Sequence, residues 1–499
     1  MNDTHQLRVR TKLAFGVGAS AEAAIVLAFN TWNFLYYNQV LGLSGTLAGL
    51  AVTISLVLDG IAEPAIGSIS DRWRSKLGRR HPFLYASALP LALCFSLLYA
   101  PPAALKGVPL FLWFCLFSTL HRQALTLYQI PHLALGAELS RDYHQRSIVM
   151  SYTAIFGTLG AAATFYFGWT WFAHIPGGTS VRQGYAGLGL TVGLAAALVI
   201  LLSAHLTRDQ IPRLPQPRGP IEPFGFGPLV RDIRGCLDNR NYRAVLFGLL
   251  CLSVTIGVRE TVHSYVSLFF WELPATKIRV FGLATPPAFL IAFFLTVRLH
   301  RRFEKRNTII GSLLVIVLAS VLPVFARFAG WLPPNGSASL TACLMVFTFV
   351  FYGASAVQMI SVMSILADIA DEHELLKGAR QEGMLFAART FFSKLSSGLG
   401  HLLGGIALDV IAFPTAAKPG QVAAHVVNQL AVFDGPIAAV PTLAAVMFYA
   451  RYGIDRRRHA EIQGELAQRR GERVPGGRDP SAAGPDALEP MPNAGLERS

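Results

Sequence analysis

The chain has 499 residues, 53% of them hydrophobic and 14% charged, and a formal net charge of +14. A soluble protein carries about a quarter charged residues, so this composition, with a mean hydropathy of +0.44, excludes an ordinary soluble domain and points to a polytopic membrane protein. Positive charge alone would also suit nucleic acid, but the placement of the basic residues argues against that.

The N-terminal MNDTHQLRVRTK runs straight into an apolar stretch. It lacks a short apolar core with a small-residue cleavage site, so no cleaved signal peptide is read. A bilayer-spanning helix needs roughly 20 apolar residues. Such runs fall at 13–38, 44–70, 83–101, 108–138, 148–172, 184–206, 243–270, 278–297, 308–328, 339–367, 383–412 and 426–452. Twelve helical spans are expected, since backbone in lipid must satisfy itself internally. The fourth and eleventh are the most polar. Loops on the side of the two termini, with Arg243 counted in, hold 21 Lys and Arg, and the opposite loops, with Arg279 and Arg327 counted in, hold 6. That bias places both termini in the cytoplasm. The expected organisation is a six-helix bundle over 1–206, a Pro-, Gly- and Arg-rich linker over 207–242, a second bundle over 243–452, and a disordered tail over 453–499. Basic clusters recurring at 72–80 and 298–306 hint at internal duplication. The five cysteines are scattered, with no metal or disulfide pattern.

The second run contains two acids, in LDGIAEPAIG. Asp59 and Glu63 are four residues apart and share a helix face. Pro64 cannot donate to the carbonyl of Gly60, which leaves a free carbonyl oxygen between two carboxylates. A small hard cation inside a membrane requires this kind of oxygen-rich helix. A charged side chain at that depth costs at least about 2.5–3.5 kcal/mol. The reading is a cation site, and the alternative is an ion pair with a basic residue elsewhere in the bundle. The fourth run repeats the device: Pro131 frees the carbonyl of Leu127, and Gln129 offers an amide oxygen to a cation or to an interhelical hydrogen bond. Glu138 is expected to join Arg141 and Arg146 at the surface.

These residues, followed by SDRWRSKLGRRHPF, IPHLALGAELSRDYHQR and ADIADEHELLKGARQEGMLFAARTFFSKLSSGLG, resemble the glycoside–pentoside–hexuronide:cation symporters of the major facilitator superfamily. The resemblance runs from about Phe15 to Arg451. It implies an all-α membrane fold of twelve helices in two six-helix bundles, alternating access, and sugar uptake driven by sodium or protons. It carries the family's cation-site acids onto Asp59 and Glu63 and a third acidic position onto Gln129. A polar set on the eleventh span falls on Arg389, Thr390 and Lys394, with Lys394 the charge partner of Asp59 or Glu63. The sugar-binding positions of melibiose-permease-like members are not kept. Their first-span aspartate falls on Ala23, beside Glu22, their fifth-span arginine on Tyr152 or Thr153, and their fourth-span tryptophan on Leu133. The substrate therefore stays open between a sugar or glycoside and an anionic or amphiphilic molecule, such as a lysolipid, carried or exported on the same fold.

Further polar residues lie in the spans. Arg122 and Gln129 face the same way on the fourth. Arg259, Glu260 and His263 lie on the seventh. Arg122, Arg259, His263, Arg389 and Glu22 are candidate substrate contacts, the arginines suiting a carboxylate or sugar acid. For Arg259 the alternative is an ion pair with Glu260 or across the bundle. His132 and His401 read as structural. Trp32, Tyr36 and Tyr37 suit a sugar face or, more commonly, an interfacial belt. The cluster Arg72–Arg80, with Arg72 and Arg79, is expected to pair with Asp368, Asp371 and Glu372, closing the cytoplasmic side, or with anionic lipid. No nucleophile–base set, metal spacing or phosphate loop is found, so neither an enzyme nor a cofactor is expected beyond the coupling ion. Gln129 in place of an acid leans that ion toward a proton over sodium. Expected partners are a small-molecule substrate and the lipid bilayer, without nucleic acid, for a monomer in the inner (cytoplasmic) membrane.

Overall fold

A computed structural model of the chain describes residues 7–140, 142–214, 235, 237–378 and 382–470. Among the described residues there is no strand. The helices are α1 (Val9–Val40), α2 (Gly45–Arg72), α3 (His81–Leu98), α4 (Gly107–Glu138), α5 (Tyr143–His174) and α6 (Arg182–Thr207) in one bundle. The second bundle comprises α7 (Arg240–Phe270), α8 (Ala275–Arg302), α9 (Lys305–Phe328), α10 (Ala338–Lys377), α11 (Glu382–Val410) and α12 (Ala424–Tyr449). Ten of the twelve are long and apolar enough to cross a membrane. The other two, α4 and α11, are those whose sequences are the most polar, and both contribute to the site described below.

Local chemistry sets the helix ends. Ser44, Asp142, Asn239 and Ser337 cap α2, α5, α7 and α10, each side chain accepting a first-turn N–H. Gly378, at φ 75°, ends α10. With 40 residues, α10 is about 60 Å long and projects well beyond a bilayer core. α1 and α7, the first helix of each bundle, both finish in a π turn, at Tyr36–Val40 and Val266–Phe270.

Contacts joining the bundles run from mid-membrane to the end opposite the termini, here the far end. α2 lies against α11 through small residues: a Cβ on Gly45 would stand 2.3 Å from the Gly405 carbonyl oxygen, and one on Gly49 2.6 Å from that of His401. Thr53 Oγ1 donates to the Gly398 carbonyl at 2.7 Å. Asp409 accepts from the backbone N–H of Gly45 and Thr46, both at 2.8 Å, and so caps α2 from the other bundle. Ser264 and Tyr265 of α7 donate to Thr31 O and Asn38 Oδ1 of α1.

Three expectations need correction. Trp32, Tyr36 and Tyr37 are fully buried. Trp32 packs at a tilt on Trp169, and Tyr36 and Tyr37 stack on Tyr185 and Phe114 inside the first bundle, forming neither a belt nor a sugar platform. The expected linker is described only at its edges: a 3₁₀ turn at Arg208–Arg213 follows α6, and α7 already begins at Arg240. Residues 215–234 and 236 lie outside the described residues. The tail contains a helix, α13 (Arg456–Arg470). Its charged composition conceals Ile462 and Leu466, four residues apart on one face and buried with Ile365, Ile369 and Leu385. Residues 471–499 lie outside the described residues.

Candidate functional site

The two acids of α2 meet the lysine of α11 where the bundles touch. Lys394 Nζ donates to Asp59 Oδ2 at 2.5 Å and to Glu63 Oε1 at 2.6 Å. Their side chains are 19%, 5% and 13% exposed respectively. Thr126 of α4 donates to the second oxygen of Asp59 at 2.5 Å. Two carboxylates and one ammonium leave one formal negative charge, which a single monovalent cation would cancel. The lysine ammonium is itself a tethered cation lodged between the acids, so an arriving cation must compete with it.

Gln129 turns its amide nitrogen, not its oxygen, toward an acid: Nε2 donates to Glu22 Oε1 of α1 at 2.6 Å. Glu22 in turn lies within electrostatic reach of Lys394 and Glu63. An acid from α1 thus stands beside the position where α4 carries Gln129. The Thr390 hydroxyl donates to Phe386 O of its own helix. Thr126, an unremarked threonine in the sequence, occupies the position at Asp59.

The two central arginines differ. Arg122 lies over the Phe29 ring at 4.6 Å. Its Nε is buried without a hydrogen-bond partner, although Asp59 and Glu260 act on it electrostatically. Arg259 lies over Phe351, also at 4.6 Å. It does not pair with Glu260. It donates to Ser320 Oγ and stands 3.8 Å from Asp434 of α12, which His263 Nδ1 approaches at 3.0 Å. Arg389 lies beside Tyr449 and Tyr242 within the second bundle. His132 stacks on Phe15 and Tyr128 and plays the structural part expected of it.

At the terminal end, acids and bases pair within their own bundles. Arg79 and Arg80 hold Glu138, displacing the expected Arg146 contact. Arg141 lies outside the described residues. Asp368 is bound by Lys305 at 2.7 Å, Asp371 by Gln463 of α13 at 2.6 Å, and Glu372 by Asn239 and Asn241. Arg72 ends α2 beside Trp73 and Arg74. Among the described residues, Arg79 and Asp368 thus each hold a partner in their own bundle.

A pair of acids bridged by a lysine, at the seam of two six-helix bundles, suits a carrier that exchanges ions. Over residues 14–456 the sequence matches the family described as MFS/sugar transport protein. The chain belongs to that family. Within the major facilitator superfamily it falls among the glycoside–pentoside–hexuronide:cation symporters, and it is a multi-pass membrane transporter, not an enzyme. Among relatives, YagG of Escherichia coli K12, provisionally named a glycoside/cation symporter, is 22% identical over 83% of this chain and 85% of its own. Another E. coli K12 protein, provisionally named a 2,3-dihydroxypropane-1-sulfonate exporter, is 23% identical over 90% of this chain and 94% of its own. A bacterial homologue of the human lysosomal transporter Spinster, solved inward-facing and unoccupied, shares the fold at a TM-score of 0.65 and 13% identity, covering 91% of this chain and 97% of that one.

Proposed function

We propose that this transporter couples one monovalent cation, a proton or sodium, to symport of a sugar or glycoside. The observation that carries the reading is Lys394 lodged between Asp59 and Glu63 at the seam of the bundles. A cation entering the site cancels its residual charge and frees Lys394. An uncharged site is cheaper to enclose, so the loaded carrier rocks and the empty site waits. The basic bias of the terminal-end loops supports termini in the cytoplasm of an inner membrane. On that orientation the joined far end is the outer one, and the conformation is inward-facing. Thr126 belongs to the site through Asp59, and the Gln129–Glu22 pair stands beside it. Linkage makes coupling reciprocal: a cation that tightens substrate binding is tightened equally by substrate.

A second reading, transport of an anionic solute, is favoured by Arg122, a guanidinium at mid-membrane without a carboxylate partner among the described residues. The relative named for a sulfonate agrees with it. The test is thermal unfolding of the purified protein with sugars, sugar acids and lysolipids, each in sodium, in potassium and at two pH values. Stabilisation by a neutral sugar only in sodium, and lost in Asp59→Asn, supports sodium symport. Stabilisation that follows pH and ignores sodium supports proton symport. Stabilisation by sugar acids or amphiphiles alone, lost in Arg122→Gln, replaces the first reading with the second.

A further inference from the structure

Two turns beyond Lys394 on α11, His401 faces a further acid, Glu260 of α7. His401 Nε2 lies 3.3 Å from Glu260 Oε2. Asn30 of α1, in the other bundle, donates to Glu260 Oε1 at 2.8 Å. On the far side of the ring, Nδ1 lies 2.9 Å from Thr261 Oγ1, and the same hydroxyl is 3.0 Å from the Gly257 carbonyl. The histidine side chain is 5% exposed and the glutamate 32%, so water reaches the group from the carboxylate side.

The hydrogen bonds decide what this group can hold. Thr261 has one hydroxyl proton. When it goes to the Gly257 carbonyl, Nδ1 must donate to the Thr261 oxygen. The gap between Nε2 and Glu260 then needs a proton of its own. That proton makes either an imidazolium against a carboxylate or a neutral ring against a carboxylic acid. When the hydroxyl turns to donate to Nδ1, the ring is neutral with its N–H on Nε2, and Glu260 is a bare carboxylate. Both patterns satisfy the ring and the acid. They differ by a hydroxyl rotation and by one proton.

We propose that Glu260 and His401 form a second ion site that binds a single proton, separate from the Asp59–Glu63–Lys394 site. The proton comes from water at the exposed edge of Glu260, as a new N–H or O–H bond, and returns there on release. The charged and titratable groups acting on Glu260 are Arg122 from α4 and the Tyr352 phenol from α10, with Arg259 of α7 beside Tyr352 and Lys394 two turns away on α11. Lys394 is held by Asp59 and Glu63, and Arg259 is turned toward Asp434. Arg122 therefore offsets part of the charge on Glu260, and an anionic solute occupying Arg122 would remove that offset and draw the proton in. The Asn30 bond ties this chemistry to the seam. A protonated pair is neutral in the joined interface, whereas a deprotonated pair leaves a charge there, which favours separation of the far ends and hydration of Glu260. The inference rests on the alternating access proposed above.

The test needs no substrate. Spin labels are placed at Ala103 and Lys418, in far-end loops of the two bundles, on a background with the five cysteines replaced. Their separation is measured by pulsed electron resonance between about pH 6 and about pH 9. The separated population is expected to rise several-fold with pH in the parent protein and in Asp59→Asn, where a proton at the first site no longer contributes, and the rise is expected to be lost when Glu260→Gln is added to Asp59→Asn. If that double variant fails to fold, His401→Gln added to Asp59→Asn carries the same expectation. A pH response that survives in these double variants, or that is absent from a parent protein that still separates with sodium, overturns the second site. Labels that never separate under any ion or pH overturn the alternating access itself.

Discussion

Lys394 does two jobs that a single substitution separates. It neutralises buried acids when no cation is bound, and it must leave when one arrives. Removing one partner of a buried ion pair costs about 3–5 kcal/mol. Lys394→Ala is therefore expected to lose stability of that order in sodium-free buffer and to regain most of it on adding sodium or lowering pH, read as the unfolding midpoint against each ion. A midpoint that drops and ignores both ions would deny Asp59 and Glu63 a cation. Thr126 donates to the charged Asp59, a kind of bond worth roughly 1.5–3 kcal/mol. Thr126→Val should weaken the ion's effect about tenfold or more at unchanged fold, checked in the same titration. The acids and the lysine are legible in the sequence because a charge inside an apolar run has no cheap explanation. Thr126, Asn30 and Asp434 are not, because an ordinary polar residue acquires its meaning from whichever helix packs opposite.

At the scale of elements, the far end closes because α2 and α11 can touch backbone to backbone. A Cβ on Gly405 would lie 2.1 Å from the carbonyl oxygen of Gly45, and neither atom belongs to a side chain that can swing away. Gly405→Val should thus fold, since each bundle packs without this contact, but should stay open at the far end. A thiol-reactive probe added from outside should then label a cysteine at Ser264 several-fold faster than in the parent, with transport lost. Equal labelling would mean that the seam tolerates more separation than the contact suggests. Asp409→Asn should act in the same direction but more weakly, since a carboxylate at an exposed helix N-terminus contributes about 0.3–1 kcal/mol. The glycines carry no warning in the sequence, because glycine is frequent in membrane helices. The twelve spans are readable because bilayer thickness fixes the length of an apolar run.

For the whole molecule, the least legible part is the tail. Charge-rich composition reads as disorder, yet α13 completes the terminal end of the second bundle. Arg456 donates to the carbonyls of His300, Arg301 and Phe303 at 2.5, 3.0 and 2.9 Å, where α8 runs out of N–H partners. His459 stands 3.4 Å from Asp368 and 3.8 Å from Asp371, and Gln463 binds Asp371. Ile462 and Leu466 close the apolar surface between the ends of α10 and α11. A chain ending after Asp455 loses all of this at once. The C-terminal bundle alone should weaken: amides in the last turns of α8 and α10 should exchange faster with deuterium, while α1–α6 keep their protection. Arg456→Ala, with the helix retained, should reproduce the α8 part alone, at roughly 1–3 kcal/mol. Uniform loss of protection across both bundles would mean that α13 supports the carrier as a whole. Unchanged protection would mean that it merely rests on the surface. The localised loss is expected because, among the described residues, the hydrogen-bond and ion-pair partners of α13 outside its own turns lie in the second half of the chain, at the ends of α8 and α10.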